Sequence, residues 1–233
     1  MVIYERGNSA KQWMFLELDR LAATHSLRVL DLACGDGRLW KVFLDTHPDV
    51  SVVGVDTDAK AIMRGQSKHA RPQLDLQVFD AQTFASEDKF DVVVAFSAIE
   101  HVVNREAFLR TVWQALSSSG FAYLNYDVGH FRSRCLKERL MVPISQLFAR
   151  IGIEGPYMKR VDDALFAQQA SKQGFIVQGT RKHNLHPLKG FMRGKSEETI
   201  VAWVAFEERL NELCSVEDLD RVMWSTTLIL QKP

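Results

Sequence analysis

The sequence predicts a doubly wound α/β domain built on a seven-stranded, mostly parallel sheet. Three observations predict it. Short runs of Val, Leu, Ile and Phe alternate with helix-like segments along most of the chain, and strands apolar on both faces belong to parallel sheets covered by helices on each side. A glycine-bearing turn comes after the first of these runs. Carboxylates then stand at the ends of the first three runs, where open α/β sheets bind their ligands.

In chain order, Asn8 to Thr24 places Trp13, Leu16 and Leu21 at helical spacing. Leu27 to Leu32 is the first strand, and Arg38 to Thr46 is a helix that stops before Pro48. Ser51 to Val55 is the second strand, and Asp58 to His69 is a helix with Asp58 as its cap. Leu74 to Phe79, Phe90 to Phe96 and Phe121 to Tyr126 are strands three to five, with a helix over Asn104 to Leu116 before the fifth. Asp162 to Gln173 is helical, Phe175 to Thr180 is the sixth strand, and Met223 to Leu230 is the seventh. Two stretches fit no ordinary connection, at about 129–160 and 181–220. The first is interrupted by Pro143, Gly152, Gly155 and Pro156, and the second has a helical centre near Glu197 to Leu213. Such lengths are uncommon for loops inside a compact domain. They are expected to form a cap around the sixth strand within one domain over residues 1–233.

Composition narrows the function. The 29 basic and 29 acidic residues cancel, which removes any overall attraction to nucleic acid or an anionic membrane. No apolar run approaches the roughly 20 residues that span a bilayer, and the first residues lack the basic and apolar regions of a signal peptide. Cys34, Cys135 and Cys214 are odd in number and widely spaced, as expected for reduced thiols in a cytoplasmic protein. No cysteine or histidine pattern has zinc-site spacing.

The chemistry concentrates in Asp31-Leu32-Ala33-Cys34-Gly35-Asp36-Gly37, where the first strand gives way to a helix. Gly35 and Gly37 permit a tight turn and close approach of a ligand, and Ala33 is nearly as small. The negative charge of Asp31 suits a cationic sulfonium or amino group better than a pyrophosphate. Asp56, with Thr57 after it, comes about twenty residues later, where a carboxylate can accept both ribose hydroxyls. Asp80 can accept an adenine amine, and Ala81 offers a backbone amide. Phe96 and Ser97 close the same crevice. A dinucleotide fingerprint needs a third glycine, but Trp40 occupies that position.

At these residues the chain resembles the class I S-adenosylmethionine (SAM)-dependent methyltransferases, over roughly Leu27 to Tyr126. DLACGDG is similar to the family's first motif, GVDTD to its acidic loop and FDAQTF to its adenine loop. FDVVVAFSAIEHV resembles the fourth strand and following turn of the small-molecule, ubiquinone-type branch. The resemblance implies strand order 3-2-1-4-5-7-6 with the last strand antiparallel, and SAM as cofactor. Glu100-His101 is similar to the Glu-His of that branch. Metal-binding members carry a further acid three residues before the Glu, where this chain has Ser97, so no metal is expected.

The resemblance implies an enzyme that moves the methyl group of SAM to an oxygen or nitrogen of a small-molecule acceptor. A protein or RNA target and a non-catalytic SAM-binding role are the alternatives. His101 is the candidate base, its pKa lying near neutrality, or else it braces the turn. Glu100, Tyr126, Asp127 and Arg181 are expected to face the acceptor. Basic residues of the cap (His130, Arg132, Arg134 and Lys137 in the first stretch, Arg181, Lys182, His183, His186, Lys189, Arg193 and Lys195 in the second) could grip an anionic group. By default such runs are solvated.

Overall fold

A computed structural model describes residues 2–132, 136–149, 157–186, 188 and 190–233. Helix α1 (Ser9–Ala22) precedes strand β1 (Arg28–Leu32). Then come α2 (Trp40–Thr46), β2 (Ser51–Asp56), α3 (Ala59–Lys68), β3 (Leu74–Val78), β4 (Phe90–Ala95), a 3₁₀ turn at Ile99–His101, α4 (Arg105–Ala115) and β5 (Leu116–Asp127). The chain continues through α5 (Gly129–Arg132), α6 (Leu136–Ala149), α7 (Asp163–Gln173), β6 (Ile176–Leu185), α8 (Glu197–Leu213), α9 (Val216–Val222) and β7 (Met223–Gln231). The strands form one sheet in the order β3-β2-β1-β4-β5-β7-β6. β1 to β5 pair in parallel, and β7 runs antiparallel to both β5 and β6. The fold is the doubly wound sheet that the sequence predicts.

The alternating apolar strands bury both faces. One core layer packs Phe108, Val112, Phe166 and Ala170 of α4 and α7 against Val93, Leu124 and Tyr126. The other packs Trp13, Phe15, Trp40 and Phe43 of α1 and α2 against Val29, Val92 and Tyr123. Side-chain caps start the helices where the sequence places them: Asn8 accepts from Lys11 N–H, Asp58 from Lys60 and Ala61, Asn104 from Ala107 and Asp162 from Leu165.

Three boundaries differ from the sequence reading. β5 starts at Leu116, five residues early, because Leu116 pairs with Phe90 and the polar Ser117–Gly120 stretch spans a register shift before Phe121 pairs with Val92. β6 continues to Leu185, so Arg181, Lys182 and His183 lie in the sheet, paired with Thr227, Thr226 and Ser225, and not in the cap. Their polar groups find partners there. Asn211 of α8 accepts from Lys182 N–H at 2.7 Å, and Glu207 accepts from Asn184 and Leu185 N–H. Pro143 sits inside α6 and does not end it. That helix is tied to the following segment by Ser145 Oγ, which accepts from Met158 N–H, and by Gln146, which donates to the Met158 carbonyl. The second expected cap is largely helical, since α9 comes after α8 with a two-residue turn between them.

Candidate functional site

The carboxyl ends of β1, β2 and β4 meet in a cavity of 360 Å³ whose lining includes Asp31, Ala33, Gly35, Asp36 and Phe96. Ala33, Gly35 and Gly37 all take left-handed backbone conformations, with φ of 66°, 60° and 68°. The turn therefore presents its backbone to the cavity. A Cβ on Gly35 would meet nothing within 4 Å, so that space is open to a ligand.

Asp31 is 1% exposed. Its Oδ2 accepts from the indole N–H of Trp40 at 2.7 Å, while Oδ1 is buried with no hydrogen-bond partner. Burial pushes its pKa up to about 7, partly opposed by the Trp40 bond and by Lys11. A buried, half-satisfied carboxylate is costly and calls for a cationic donor. Trp40 thus holds the buried carboxylate in place. The sequence signalled only that position 40 is not glycine.

Asp56 is half-buried and orders the turn: its Oδ2 accepts from Gly35 N–H and its Oδ1 from Asp58 N–H, both at 2.8 Å. A carboxylate has about four acceptor sites, so two remain for ribose hydroxyls. Asp80 accepts from Gln82 N–H at 2.8 Å in a tight turn. Ala81 is half-buried beside it, and Phe79 is 42% exposed, edge-on to Phe84. Thr57 is exposed at the end of β2. Asp31 thus offers a carboxylate suited to a sulfonium amino acid, Asp56 one suited to ribose hydroxyls and Asp80 one suited to a purine amine, and of these Asp31 lines the 360 Å³ cavity.

Ser97 is left-handed, with φ 56°. Its N–H and hydroxyl both donate to Oδ1 of the buried Asn125, each at 3.2 Å, and Asn125 Nδ2 donates to Ser225 Oγ, Thr226 O and Thr227 Oγ1. Asn125 is the hub of the turn after β4, and nothing in its local sequence marks it. Glu100 is 1% exposed. Its Oε1 accepts from Asp127 N–H at 3.2 Å, its Oε2 is unpartnered, and burial raises its pKa to about 7. His101 is exposed with Nδ1 at 3.1 Å from the Tyr157 carbonyl. A carbonyl only accepts, so Nδ1 carries the proton and the neutral ring has its basic lone pair on Nε2. Arg105 fastens this turn by donating to the carbonyls of Ile99, Lys159 and Arg160. It is another residue the sequence reading passed over.

The acceptor-side residues divide. Asp127 ends β5, is buried, and accepts from Gly129 N–H at 2.6 Å. Tyr126 points the other way: it is fully buried, edge-on to Phe166 of α7. Alternation along the strand sends residues 125 and 127 to one face and 126 to the other. Arg181 sits two residue pairs below the level of Asp127, half-buried in a small recess with Trp13, His183 and Glu207. Lys182 is 2% exposed and ion-paired to Asp163 and Asp220. The extension of β6 keeps both away from the mouth. His183 is buried against Trp13, and its pKa is lowered to about 3. Arg134, Cys135 and Lys189, and the side chains of His130, Arg132 and Lys137, lie outside the described residues. Among the described residues no group of three or more His, Cys, Asp or Glu is placed to hold a metal, and no helix is long and apolar enough to cross a membrane.

Comparison with known proteins gives the same picture. Residues 30–122 match the model of the methyltransferase domain family. The trans-aconitate 2-methyltransferase of an Azoarcus species is 22% identical over 82% of this chain and 80% of its own. A ubiquinone biosynthesis O-methyltransferase of Rhodopseudomonas palustris is 33% identical over 36% of this chain and 33% of its own. The chain spans between a third and a half of the length of several other curated relatives it matches. The crystal structure of an S-adenosylmethionine-dependent methyltransferase from Mesorhizobium loti shares the fold, with a TM-score of 0.61 and 17% identity over 96% of this chain and 98% of that one. Residues 30–122 thus carry a methyltransferase domain, and the sheet order and motif order are those of the class I SAM-dependent methyltransferases that the chain resembles.

Proposed function

We propose that the protein transfers the methyl group of SAM to an oxygen or nitrogen of a small-molecule acceptor. The observation that carries this reading is the unpartnered Oδ1 of Asp31 in the cavity beside the left-handed turn at Ala33–Gly37. When bound, SAM supplies a methyl group already activated by its sulfonium. The chain has to hold the cofactor, align the acceptor and exclude water. Asp31 meets the cationic amino-acid end, Gly35 and Ala33 shape the backbone around it, Asp56 with Thr57 takes the ribose, and Asp80, Ala81, Phe96 and Ser97 line the remainder. Asp127 and the buried Glu100 border the acceptor side. His101, with its basic nitrogen at Nε2, takes the acceptor proton where one is released. The small-molecule names of the trans-aconitate and ubiquinone relatives support the acceptor class. A cytoplasmic setting agrees with the free thiols of Cys34 and Cys214.

Calorimetry tests the cofactor: S-adenosylhomocysteine binds at low-micromolar affinity or tighter and NAD gives no heat. The reverse result removes the proposal. Once labelled SAM and a metabolite extract have yielded a product by mass spectrometry, His101→Ala is expected to lower turnover by roughly 10²-fold, the lower range for a general base, with S-adenosylhomocysteine affinity unchanged. Parental turnover would leave His101 as a brace for the turn through Tyr157.

A further inference from the structure

We propose that the acceptor is a small organic polyanion, held by Lys11, Arg38 and Arg193 against the stacked rings of His186 and Trp224; this rests on the methyl-transfer reading above. These residues line a second cavity, of 760 Å³. It shares Lys11, Arg38 and Leu39 with the 360 Å³ cavity that contains Asp31, so a molecule in one abuts a molecule in the other. The two spaces differ in charge balance. Asp31, Asp36 and Asp58 line the first together with Lys11, Arg38 and Arg64, whereas among the described residues Glu5 is the one carboxylate on the second, against Arg6, Lys11, Arg38 and Arg193, and its Oε1 accepts from Gly7 N–H at 2.7 Å.

The cations of the second cavity are unspent. Arg6, also on its wall, is paired with Glu197. Among the described residues the side chains of Lys11, Arg38 and Arg193 make no hydrogen bond and no ion pair. Burial depresses the Lys11 pKa, opposed by the nearby carboxylates Glu5 and Asp31. The position of Arg193 is built. A Cβ on Gly7 would lie 3.2 Å from its Nε, closer than most real contacts, so Gly7 leaves room for the guanidinium, and Gly190 lies in ordinary contact distance at 3.7 Å. Opposite, His186 and Trp224 stack with centroids 3.4 Å apart and 6° between planes. The Trp224 carbonyl accepts from Val128 N–H at 2.8 Å, which fixes this platform to the end of β5 beside Asp127. Two guanidinium forks and an ammonium around one space match carboxylates or phosphates, and the ring faces pack the carbon skeleton.

The test uses the full chain saturated with S-adenosylhomocysteine. Tricarballylate, glycerol 3-phosphate and, as a neutral control, glycerol are titrated in, with heat and tryptophan fluorescence recorded for the parent and for Trp224→Phe. At least one anion is expected to bind and glycerol not. The fluorescence change should disappear in Trp224→Phe, and Arg193→Glu should weaken the anion by about tenfold or more, the scale of a charge-assisted contact, without altering S-adenosylhomocysteine affinity. Tricarballylate alone binding assigns carboxylates to the acceptor, and glycerol 3-phosphate alone assigns a phosphate. Normal S-adenosylhomocysteine binding with no response to either anion, or equal anion binding by Arg193→Glu, overturns the polyanion while leaving the methyl-transfer reading intact. Failure of S-adenosylhomocysteine itself to bind removes both.

Discussion

Asp31 on the central strand β1 and Lys182 on the outermost strand β6 are both withdrawn from water, at 1% and 2% exposure, yet the protein treats them oppositely. Lys182 Nζ is enclosed by Asp163 of α7, Asp220 of α9 and Thr226 Oγ1 of β7, the last two at 2.5 and 2.9 Å. Its charge is balanced and its donors are used, so it joins three elements. Asp31 receives one indole hydrogen bond and keeps an empty oxygen. A buried charge that the fold satisfies braces the fold; a buried charge left half-satisfied is reserved for something that binds. From sequence alone both residues were candidates for ligand contact.

The largest effect expected from this contrast is on stability. Asp163→Asn combined with Asp220→Asn strands the Lys182 ammonium, and unfolding free energy by chemical denaturation should fall by about 3–5 kcal/mol, the cost of an uncompensated buried charge. The S-adenosylhomocysteine affinity of the folded fraction should not change. A variant that loses affinity and keeps its stability would exchange the roles of the two sites.

A smaller effect belongs to Asp56→Ala, which removes ribose acceptors and the anchor of Gly35 N–H. SAM affinity by calorimetry should drop by about 1.5–3 kcal/mol with little change in folding. Parental affinity in the folded variant would place the ribose elsewhere.

Asp31→Asn sharpens the comparison through pH. The carboxyl is raised from 3.8 to about 7 on folding, so its contribution to stability is fully present below pH about 3.8 and is lost as pH rises through about 7. The ligand-free parent should lose melting temperature across that window and Asp31→Asn should lose less, with Glu100, Glu17 and Glu207, all raised by burial, contributing to the remainder. Cationic SAM should suppress the parental loss, and Asp31→Asn should bind SAM poorly at every pH. Identical pH profiles for parent and variant would remove Asp31 from the account. Trp40→Phe gives the smallest change. Loss of the indole donor raises the Asp31 pKa further, so the melting-temperature decline should move to higher pH, by an amount on the order of the 0.5–1.5 kcal/mol of one hydrogen bond. An unmoved midpoint would show that the indole does not set the carboxyl.

The sheet was readable because a parallel strand buried on both faces leaves an unbroken apolar run, as in Val92–Ala95, and the cofactor end was readable because its glycines and carboxylates are local in sequence. β6 shows the limit. Its second half, Arg181–Leu185, is polar and resembles a loop until Glu207 and Asn211, more than twenty residues on, supply partners. Tyr126 and Asp127 were both expected on the acceptor side, yet neighbours in a strand point to opposite faces, and Tyr126 is buried against Phe166. Trp40, Asn125 and Arg105 were passed over, since each is marked only by the partners it meets in the fold.

The bonds of Asn125 carry a consequence for the order of assembly. Its oxygen holds Ser97 in the left-handed turn, and its amide is held by Ser225, Thr226 and Thr227. Those three residues belong to β7, the last strand in sequence, which slots between β5 and β6. A nascent chain that has paired β1 to β5 therefore has the cofactor turn at Ala33–Gly37 but not the clamp on Ser97. Contacts spanning about a hundred residues form late, because closing so long a loop precedes any gain from them. Competence to hold the cofactor should thus precede competence to arrange the turn that carries Glu100 and His101, and β7 entering the sheet is the event that separates the two.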